Sequence, residues 1–313
     1  MDMIFRAKRF VGPGETILGE DFHSAPGGKG ANQAVQAARL GAEVTMVGKV
    51  GDDAYGEAMT ASLREAGVRT DQVIVTGRCP SGMSNIQIQA GGGGTQNRII
   101  VIPGANMAIT PGDVAYLEEA VAGYDMVMLQ LEIPMEINKL VARYAWAKGV
   151  PVMLNPAPSA PLSRELLGHL KYLSPNEHEA EDLTGVRPEG EASARRAAEL
   201  LHKRGAAGVL ITLGQSGAAY WDGSRFVLSP AVPCGHPVDP TAAGDSFIGA
   251  FCTAACAGMP VEDAMAFANQ AASLTVSRMG AQPSLPGLDE VNAALKAAGR
   301  ATLCYDEGGR ARA

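Results

Sequence analysis

The chain has 313 residues and a net charge of −7, and 46% of its residues are hydrophobic while only 5% are aromatic. The negative charge, without clusters of Lys and Arg, argues against a surface that binds nucleic acid through its phosphates. Five scattered cysteines without a Cys-x-x-Cys pair disfavour a disulfide framework or a zinc site, and no apolar run has membrane-spanning length. We therefore expect a cytoplasmic protein with an aliphatic core and no nucleic-acid or membrane partner.

The N-terminal third predicts an alternation of strands and helices. Residues 1–5 form a short, mainly apolar segment but show no complete strand, and the glycines from Gly27 lead into a helix that ends near Gly41. This helix start could bind an anion or a hydroxyl, although a flexible glycine turn explains the same residues. A strand at 43–48 and a helix at 53–66 follow.

Residues 73–103 break this alternation. Polar and apolar residues alternate from Ser84 to Gln89, four glycines follow, and an extended pattern resumes at 98–102. This pattern predicts a hairpin exposed on one face. We interpret it as a lid over a substrate site that also contacts a second subunit; an ordinary edge hairpin is the alternative.

Polar residues follow several of the later elements. A helix at 113–122 precedes a strand at 126–131 that is expected to be covered on both faces and ends beside Glu132. Because ligands bind at the carboxyl ends of parallel strands, Glu132 is a candidate hydroxyl acceptor, or simply the first charge of the next helix. Asn176 and Glu179 share one face of a helix start, where they could orient hydrated Mg²⁺ or only complement the helix dipole.

The segment from Asp239 to Ala250 carries the clearest chemical signal. Small residues lead into an apolar helix, so its first N–H groups form an anion site. Asp245 is either a capping residue or a general base for a hydroxyl that is being phosphorylated. Further helices are predicted at 192–203 and 261–276, a strand at 208–213, and a hairpin around Asp222 and Gly223.

Six segments together resemble the ribokinase-like family of carbohydrate kinases, in order and spacing, over nearly the whole chain. They are Gly-Gly-Lys-Gly-Ala-Asn-Gln-Ala at 27–34, Asn-Pro-Ala-Pro at 155–158, Pro-Asn-Glu-His-Glu-Ala at 175–180, Ile-Thr-Leu-Gly at 211–214, Ala-Ala-Gly-Asp at 242–245 and Gly-Ala-Gln-Pro-Ser at 280–284. The resemblance implies a three-layer α/β sandwich with a mostly parallel central sheet, helices on both faces and a small β lid at about 73–103, all within one domain, 1–313.

The resemblance also implies that the γ-phosphoryl group of ATP is transferred to the 5-hydroxyl of a pentose, D-ribose. Asp245 would be the base, and the N–H groups of Ala243, Gly244 and Asp245 would stabilise the transferring group. The residues implied to bind the sugar are Asp2, Gly28, Lys29, Gly30, Ala31, Asn32, Glu132 and Asp245.

The implied nucleotide site comprises Asn176, Thr212, Leu213, Gly214, Gln215, Ser216, Gly217, Gly244 and Asn269. Glu179 would organise Mg²⁺ through water. A potassium ion is implied at Asp239, Thr241, Thr275, Arg278, Gly280 and Ser284, although Pro240 replaces the family's usual threonine and removes an N–H. A homodimer through the lid is also implied.

The N-terminus departs from the family pattern. The resemblance implies a buried first strand ending in Asn-x-Asp, of which the chain carries only Asp2. We hypothesise a start placed too far downstream, or a truncation. Alternatives to a ribose kinase are a kinase for deoxyribose, a fructose-type sugar or a nucleoside, and a non-catalytic sugar or nucleotide binder. A NAD-dependent dehydrogenase is disfavoured, because no Gly-x-Gly-x-x-Gly follows an early strand.

Overall fold

The computed structural model describes residues 1–89, 96–305 and 311–312. The strands are β1 Asp2–Ala7, β2 Asp21–Ala25, β3 Thr45–Gly51, β4 Arg69–Thr76, β5 Met83–Gln89, β6 Gln96–Ile102, β7 Val127–Gln130, β8 Val152–Asn155, β9 Tyr172–Leu173, β10 Gly208–Thr212, β11 Ala218–Trp221, β12 Phe226–Ser229, β13 Cys304–Tyr305 and β14 Ala311–Arg312. The helices are α1 Lys29–Arg39, α2 Ala54–Glu65, α3 Pro111–Val114, α4 Leu117–Ala120, α5 Met135–Ala147, α6 Arg164–Gly168, α7 Glu177–Thr184, α8 Glu191–Lys203, α9 Ala243–Cys256, α10 Val261–Val276 and α11 Leu288–Ala297.

The central sheet has the order β12-β11-β10-β9-β8-β7, with β7 to β10 parallel and β11 and β12 antiparallel. Along each inner strand, successive side chains point to opposite faces of the sheet and pack in two different hydrophobic clusters. In β10, for example, Val209 and Ile211 join one apolar cluster and Leu210 joins the other. Helices α5 to α8 cover the first face and α9 to α11 the second, so the predicted three-layer α/β arrangement is confirmed.

Strand β3 pairs in parallel with β4 in a separate two-stranded sheet. Within the described ranges, no strand pairs with the outer edge of β3 or with that of β7. Although β7 is an edge strand, the expectation that it is covered on both faces is confirmed, because Val127 and Leu129 pack in the first cluster and Met128 packs against the second.

The lid is a four-stranded sheet in the order β2-β1-β5-β6. Residues 2–7, in which the sequence showed no complete strand, form its second strand and pair in parallel with β5. The predicted lid range of 73–103 therefore began too early and was incomplete, since residues 73–76 belong to β4 and half of the sheet comes from the N-terminal segment. Residues 91–94, the predicted glycine turn, lie outside the described residues.

The helix predicted at 113–122 is divided into α3, α4 and a 3₁₀ turn at Val121–Gly123. Ala115 and Tyr116 keep helical dihedral angles, so the hydrogen-bond pattern changes there and not the direction of the chain. Over the described part of the chain, no helix combines the length and the apolar character needed to cross a bilayer.

Candidate active site

Helix α9 carries the predicted base in its first turn and follows the loop that contains Asp239. Ala242, the residue before the helix, adopts φ 60°, a left-handed conformation that non-glycine residues rarely take. The Ala243 N–H donates to the carbonyl of Pro240 at 3.2 Å. Among the described residues, the Gly244 and Asp245 N–H groups have no protein acceptor, so two of the three predicted N–H donors are available to a ligand.

Asp245 is buried in the first turn of α9 and is held by helix α1. Asn32 Nδ2 donates to one carboxylate oxygen at 2.9 Å, and Gln33 Nε2 donates to the other at 3.1 Å. Burial raises the pKa of Asp245, whereas the charge of Lys29 and these two hydrogen bonds oppose the increase. The structure thus places the candidate base against the glycine-rich turn, 213 residues away in sequence from Asn32.

Asn32 has a second polar atom available. Its Oδ1 is buried, and no described residue donates to it. A buried acceptor without a partner is costly, so a ligand donor is expected there. Because Nδ2 of the same side chain contacts Asp245, a hydroxyl bound at Oδ1 would lie near the base.

Two further carboxylates lie at the glycine turn. The Lys29 N–H donates to Glu132 at 3.1 Å, and Gly28 takes φ 96°, which favours glycine. Asp2 accepts a hydrogen bond from Ser84 of the lid. Burial raises the pKa of Glu132, with Lys29 opposing and both Asp245 and Asp2 adding to the increase. The turn therefore gathers the predicted sugar residues, which are Asp2, Gly28, Lys29, Gly30, Ala31, Asn32 and Glu132.

Asn176 and Glu179 contact each other directly. Asn176 is the N-cap of α7, and its N–H and Nδ2 donate to the two carboxylate oxygens of Glu179 at 2.9 and 3.0 Å. Burial raises the pKa of Glu179, Lys29 opposes this increase, and Asp245 adds to it. The two residues thus form a capping box, and Glu179 also lies within the electrostatic reach of the candidate base.

The predicted nucleotide loop follows β10. Gly214 to Ser216 form an exposed 3₁₀ turn, and Gly217 has φ 97° against the carbonyl of Ser229, a position that a side chain could not occupy. Asn269 of α10 donates to Ser229 Oγ at 2.9 Å and to the carbonyl of Pro230 at 3.1 Å. Asn269 therefore fixes the loop that follows β12, and a nucleotide contact at its side chain stays a prediction.

The predicted cation residues lie on two adjacent loops, which Asp239 joins, except Thr275, which is in the last turn of α10. Its carboxylate accepts from the Thr241 N–H at 2.9 Å and from the Gly280 N–H at 2.9 Å. Thr275 donates to Ser246 Oγ at 2.8 Å, and Ser284 donates to the Ala281 carbonyl at 2.7 Å. Arg278 pairs with Glu290 on α11, so its guanidinium points away from the loop pair.

The inner face of the lid covers these loops. Ile4, His23 and Ile86 line a small cavity together with Asp239 and Gly280. The lid interpretation of the hairpin agrees with this position over the body of the protein.

The sequence pattern of the pfkB family carbohydrate kinase matches residues 1–288. The chain belongs to this family. A ribokinase of Bacillus subtilis (strain 168) is 44% identical to this carbohydrate kinase over 291 residues, which cover 93% of the chain and 94% of the relative. A ribokinase of Haemophilus influenzae is 38% identical over 291 residues, covering 92% and 93%.

The structure of Arabidopsis thaliana ribokinase complexed with ribose and ATP matches this carbohydrate kinase with a TM-score of 0.85 and 35% identity, covering 93% of this chain and 94% of that one. The predicted ribokinase-like fold is therefore confirmed.

Two contacts of the kinase site were missed by the sequence interpretation. Gln33 lies within the quoted glycine-rich motif but was assigned no role, and Ser84 was considered only as part of an alternating strand. Gln33 reaches Asp245, and Ser84 reaches Asp2. The available signal was a glutamine within the helix segment Ala-Asn-Gln-Ala-Val, because a glutamine that such a helix buries needs hydrogen-bond partners.

Proposed function

We propose that this carbohydrate kinase transfers the γ-phosphoryl group of ATP to the 5-hydroxyl of D-ribose. The observation that carries the proposal is the position of Asp245, a buried carboxylate at a helix N-terminus, hydrogen-bonded to Asn32 of the glycine-rich turn. The identity of the relatives over more than nine-tenths of the chain supports ribose as the acceptor and ATP as the donor.

In the proposed reaction, Asp245 accepts the proton of the sugar 5-hydroxyl while the oxygen of that hydroxyl attacks the γ-phosphorus. One P–O bond forms to the sugar, the bond to the leaving ADP breaks, and the proton remains on Asp245. The Gly244 and Asp245 N–H groups stabilise negative charge on the transferring group, a contact worth about 3 kcal/mol per donor in other enzymes. Asp2, Asn32 and Glu132 orient the sugar.

A panel of sugars in a coupled ADP-release assay tests this proposal. Ribose should give the highest kcat/KM, above deoxyribose, fructose and ribonucleosides. If another acceptor gave a clearly higher kcat/KM, that compound and not ribose would be the proposed substrate. If the protein bound sugars but phosphorylated none of them, the non-catalytic binder would be favoured.

Magnesium is also part of the proposal, with Glu179 as the residue that would hold it. The Glu179 carboxylate is buried and already accepts two hydrogen bonds from Asn176, so it suits contact through water and not direct coordination. No cluster of three His, Cys, Asp or Glu ligands occurs within the described ranges. When bound with ATP, the ion would neutralise phosphate charge.

A monovalent cation is proposed at the loop pair joined by Asp239. The Asp239 carboxylate adds negative charge beside Thr241 and Gly280, and carbonyl oxygens of these loops are ligands that suit potassium. We expect phosphorylation in potassium buffer to be roughly five- to a hundredfold faster than in sodium buffer of equal ionic strength. Asp239→Asn should reduce this difference. Equal rates in the two buffers would contradict the cation site.

A homodimer through the outer face of the lid is the proposed assembly. Phe5 and Phe22 pack there with tilted rings and centroids 5.0 Å apart, and Ile100 of β6 lies on the same face of the sheet and is 61% exposed. Sedimentation should give a dimer that Ile100→Asp dissociates. Val75→Asp, which alters an equally exposed strand residue outside the lid sheet, should leave the dimer intact. A monomeric parent, or a dimer insensitive to Ile100→Asp, would contradict this assembly.

A cytoplasmic location is proposed as well. Its support is the cysteine chemistry, since all five thiols are free in the described structure.

A further inference from the structure

Gln33 lies at the centre of a buried chain of amide hydrogen bonds. It is on α1, has no solvent-exposed surface, and donates through Nε2 to Asp245 at 3.1 Å and to Asn155 Oδ1 at 3.4 Å. Its Oε1 accepts from Gln130 Nε2 at 2.6 Å. Asn155 in turn donates to the carbonyl of Ser174 at 3.0 Å. The amide thus connects the ends of β7 and β8 with the first turn of α9.

The chemistry of these groups fixes the orientation of the Gln33 amide. An ionised carboxylate only accepts hydrogen bonds, so Gln33 must present its NH₂ group to Asp245. Its carbonyl oxygen then faces Gln130, which must be the donor. A rotated Gln33 amide would place its oxygen against the carboxylate and its NH₂ against the NH₂ of Gln130, losing both contacts.

Close packing prevents Gln33 from moving away from the base. A Cβ added at Gly249 of α9 would lie 2.8 Å from the backbone carbonyl oxygen of Gln33 and 2.9 Å from Cβ of Gln36. Helices α1 and α9 therefore touch backbone to backbone one turn beyond Asp245. Only glycine permits this approach.

We propose that Gln33 is a positioning residue that holds the Asp245 carboxylate in the orientation facing the sugar. This inference rests on the phosphoryl-transfer function proposed above. Asn32 contacts the same carboxylate but retains a free acceptor for the sugar, whereas every polar atom of Gln33 contacts protein. Gln33 also favours the ionised base, because its N–H donation opposes the increase in the pKa of Asp245 that burial causes.

The test replaces Gln33 with methionine, which is similar in size but lacks the amide. Losing a hydrogen bond to a charged group should lower kcat by roughly ten- to a hundredfold and move the acid limb of kcat/KM upward by about one pH unit. The limb moves upward because the protonated, inactive carboxyl becomes more favourable. KM for the sugar should change little, since Asp2, Asn32 and Glu132 are unaltered. Gln33→Glu, which keeps the shape but offers an acceptor to Asp245, should shift the limb further.

Other charged groups near Asp245 also influence the acid limb of the kcat/KM profile. These are Lys29 on α1, Asp2 on β1, Glu132 after β7 and Glu179 on α7. None of them makes a hydrogen bond to Gln33 among the described residues, so the substitution leaves their contacts in place.

Gln36 supplies the matched control. It is the same residue type, equally buried and one turn further along α1, and it contacts α9 through Ser246 Oγ at 2.8 Å without touching Asp245. Gln36→Met should destabilise the protein in the same manner as Gln33→Met but leave the acid limb at its parent position. An unshifted limb in Gln33→Met, or equal shifts in both variants, would overturn the inference.

A second readout does not depend on turnover. The carboxyl of Asp245 can be titrated by ¹³C NMR in protein labelled at the aspartate side chains, with its resonance assigned by its loss in Asp245→Asn. The pH midpoint of this titration should move upward in Gln33→Met and stay at the parent value in Gln36→Met. A moved midpoint in a protein without kinase activity would support the contact and refute the proposed function, whereas an unmoved midpoint would refute the positioning role itself.

Discussion

Substitution of Asp245 by asparagine is expected to lower kcat by roughly 10²- to 10⁴-fold, the contribution typical of a general base. Asparagine keeps the size of the side chain but cannot accept the hydroxyl proton. Sugar binding should persist, because Asp2 and Glu132 remain and Asn32 keeps its free acceptor. Single-turnover rates and calorimetric sugar titrations of the same variant separate the two effects.

The control is Asp289→Asn, which removes an exposed carboxylate from the first turn of α11, on a helix that carries none of the predicted site. It should retain the parent turnover. If Asp245→Asn also retained turnover, Asp245 would not be the general base; the structure already excludes the capping alternative, because Ala242 precedes α9 and no side chain caps it. If the variant lost sugar binding and turnover together, its role would be structural.

Substitution of Gly27 by alanine is expected to raise KM for the sugar by roughly ten- to a hundredfold, with a smaller effect on kcat. A Cβ at Gly27 would overlap the carboxylate of Asp2, which Ser84 otherwise holds in place. The carboxylate must therefore leave its position beside the glycine turn. Steady-state kinetics with a varied sugar concentration measure the change.

Two variants delimit this effect. Ser84→Ala, which releases Asp2 without displacing it, should raise KM in the same direction but less. Gly123→Ala adds a methyl group where no atom lies within 4 Å and should leave KM unchanged. A Gly27→Ala enzyme with the parent KM would remove Asp2 from the sugar site.

The local sequence predicted those elements whose ends are marked by nearby residues, such as a glycine after a helix or a capping residue before one. Helix α10 has the predicted bounds. Helix α1 ends at Arg39 with Leu40 as its C-cap, so Gly41, with φ 93°, occupies the predicted C′ position. Asn176 and Glu179 could be paired from their spacing alone, since a capping box is a contact between residues three positions apart.

Contacts between distant segments were not predictable in this way. Strand β1 pairs with β5 about 80 residues later, so the lid sheet has no local signal beyond the β5–β6 hairpin. The role of Gln33 likewise depends on contacts with Gln130, Asn155 and Asp245, between 97 and 212 positions away. The resemblance to a family supplied the arrangement of Asp245 and the glycine turn, which spacing alone leaves open.

The most direct test of the central claim is the product formed from ATP and D-ribose, identified by ³¹P NMR. We predict a phosphomonoester signal, coupled to the two C5 protons of ribose, that accumulates in step with ADP and forms roughly 10²- to 10⁴-fold more slowly with Asp245→Asn. A product phosphorylated at another position, or ATP that stays unconsumed while ribose is bound, would contradict the account.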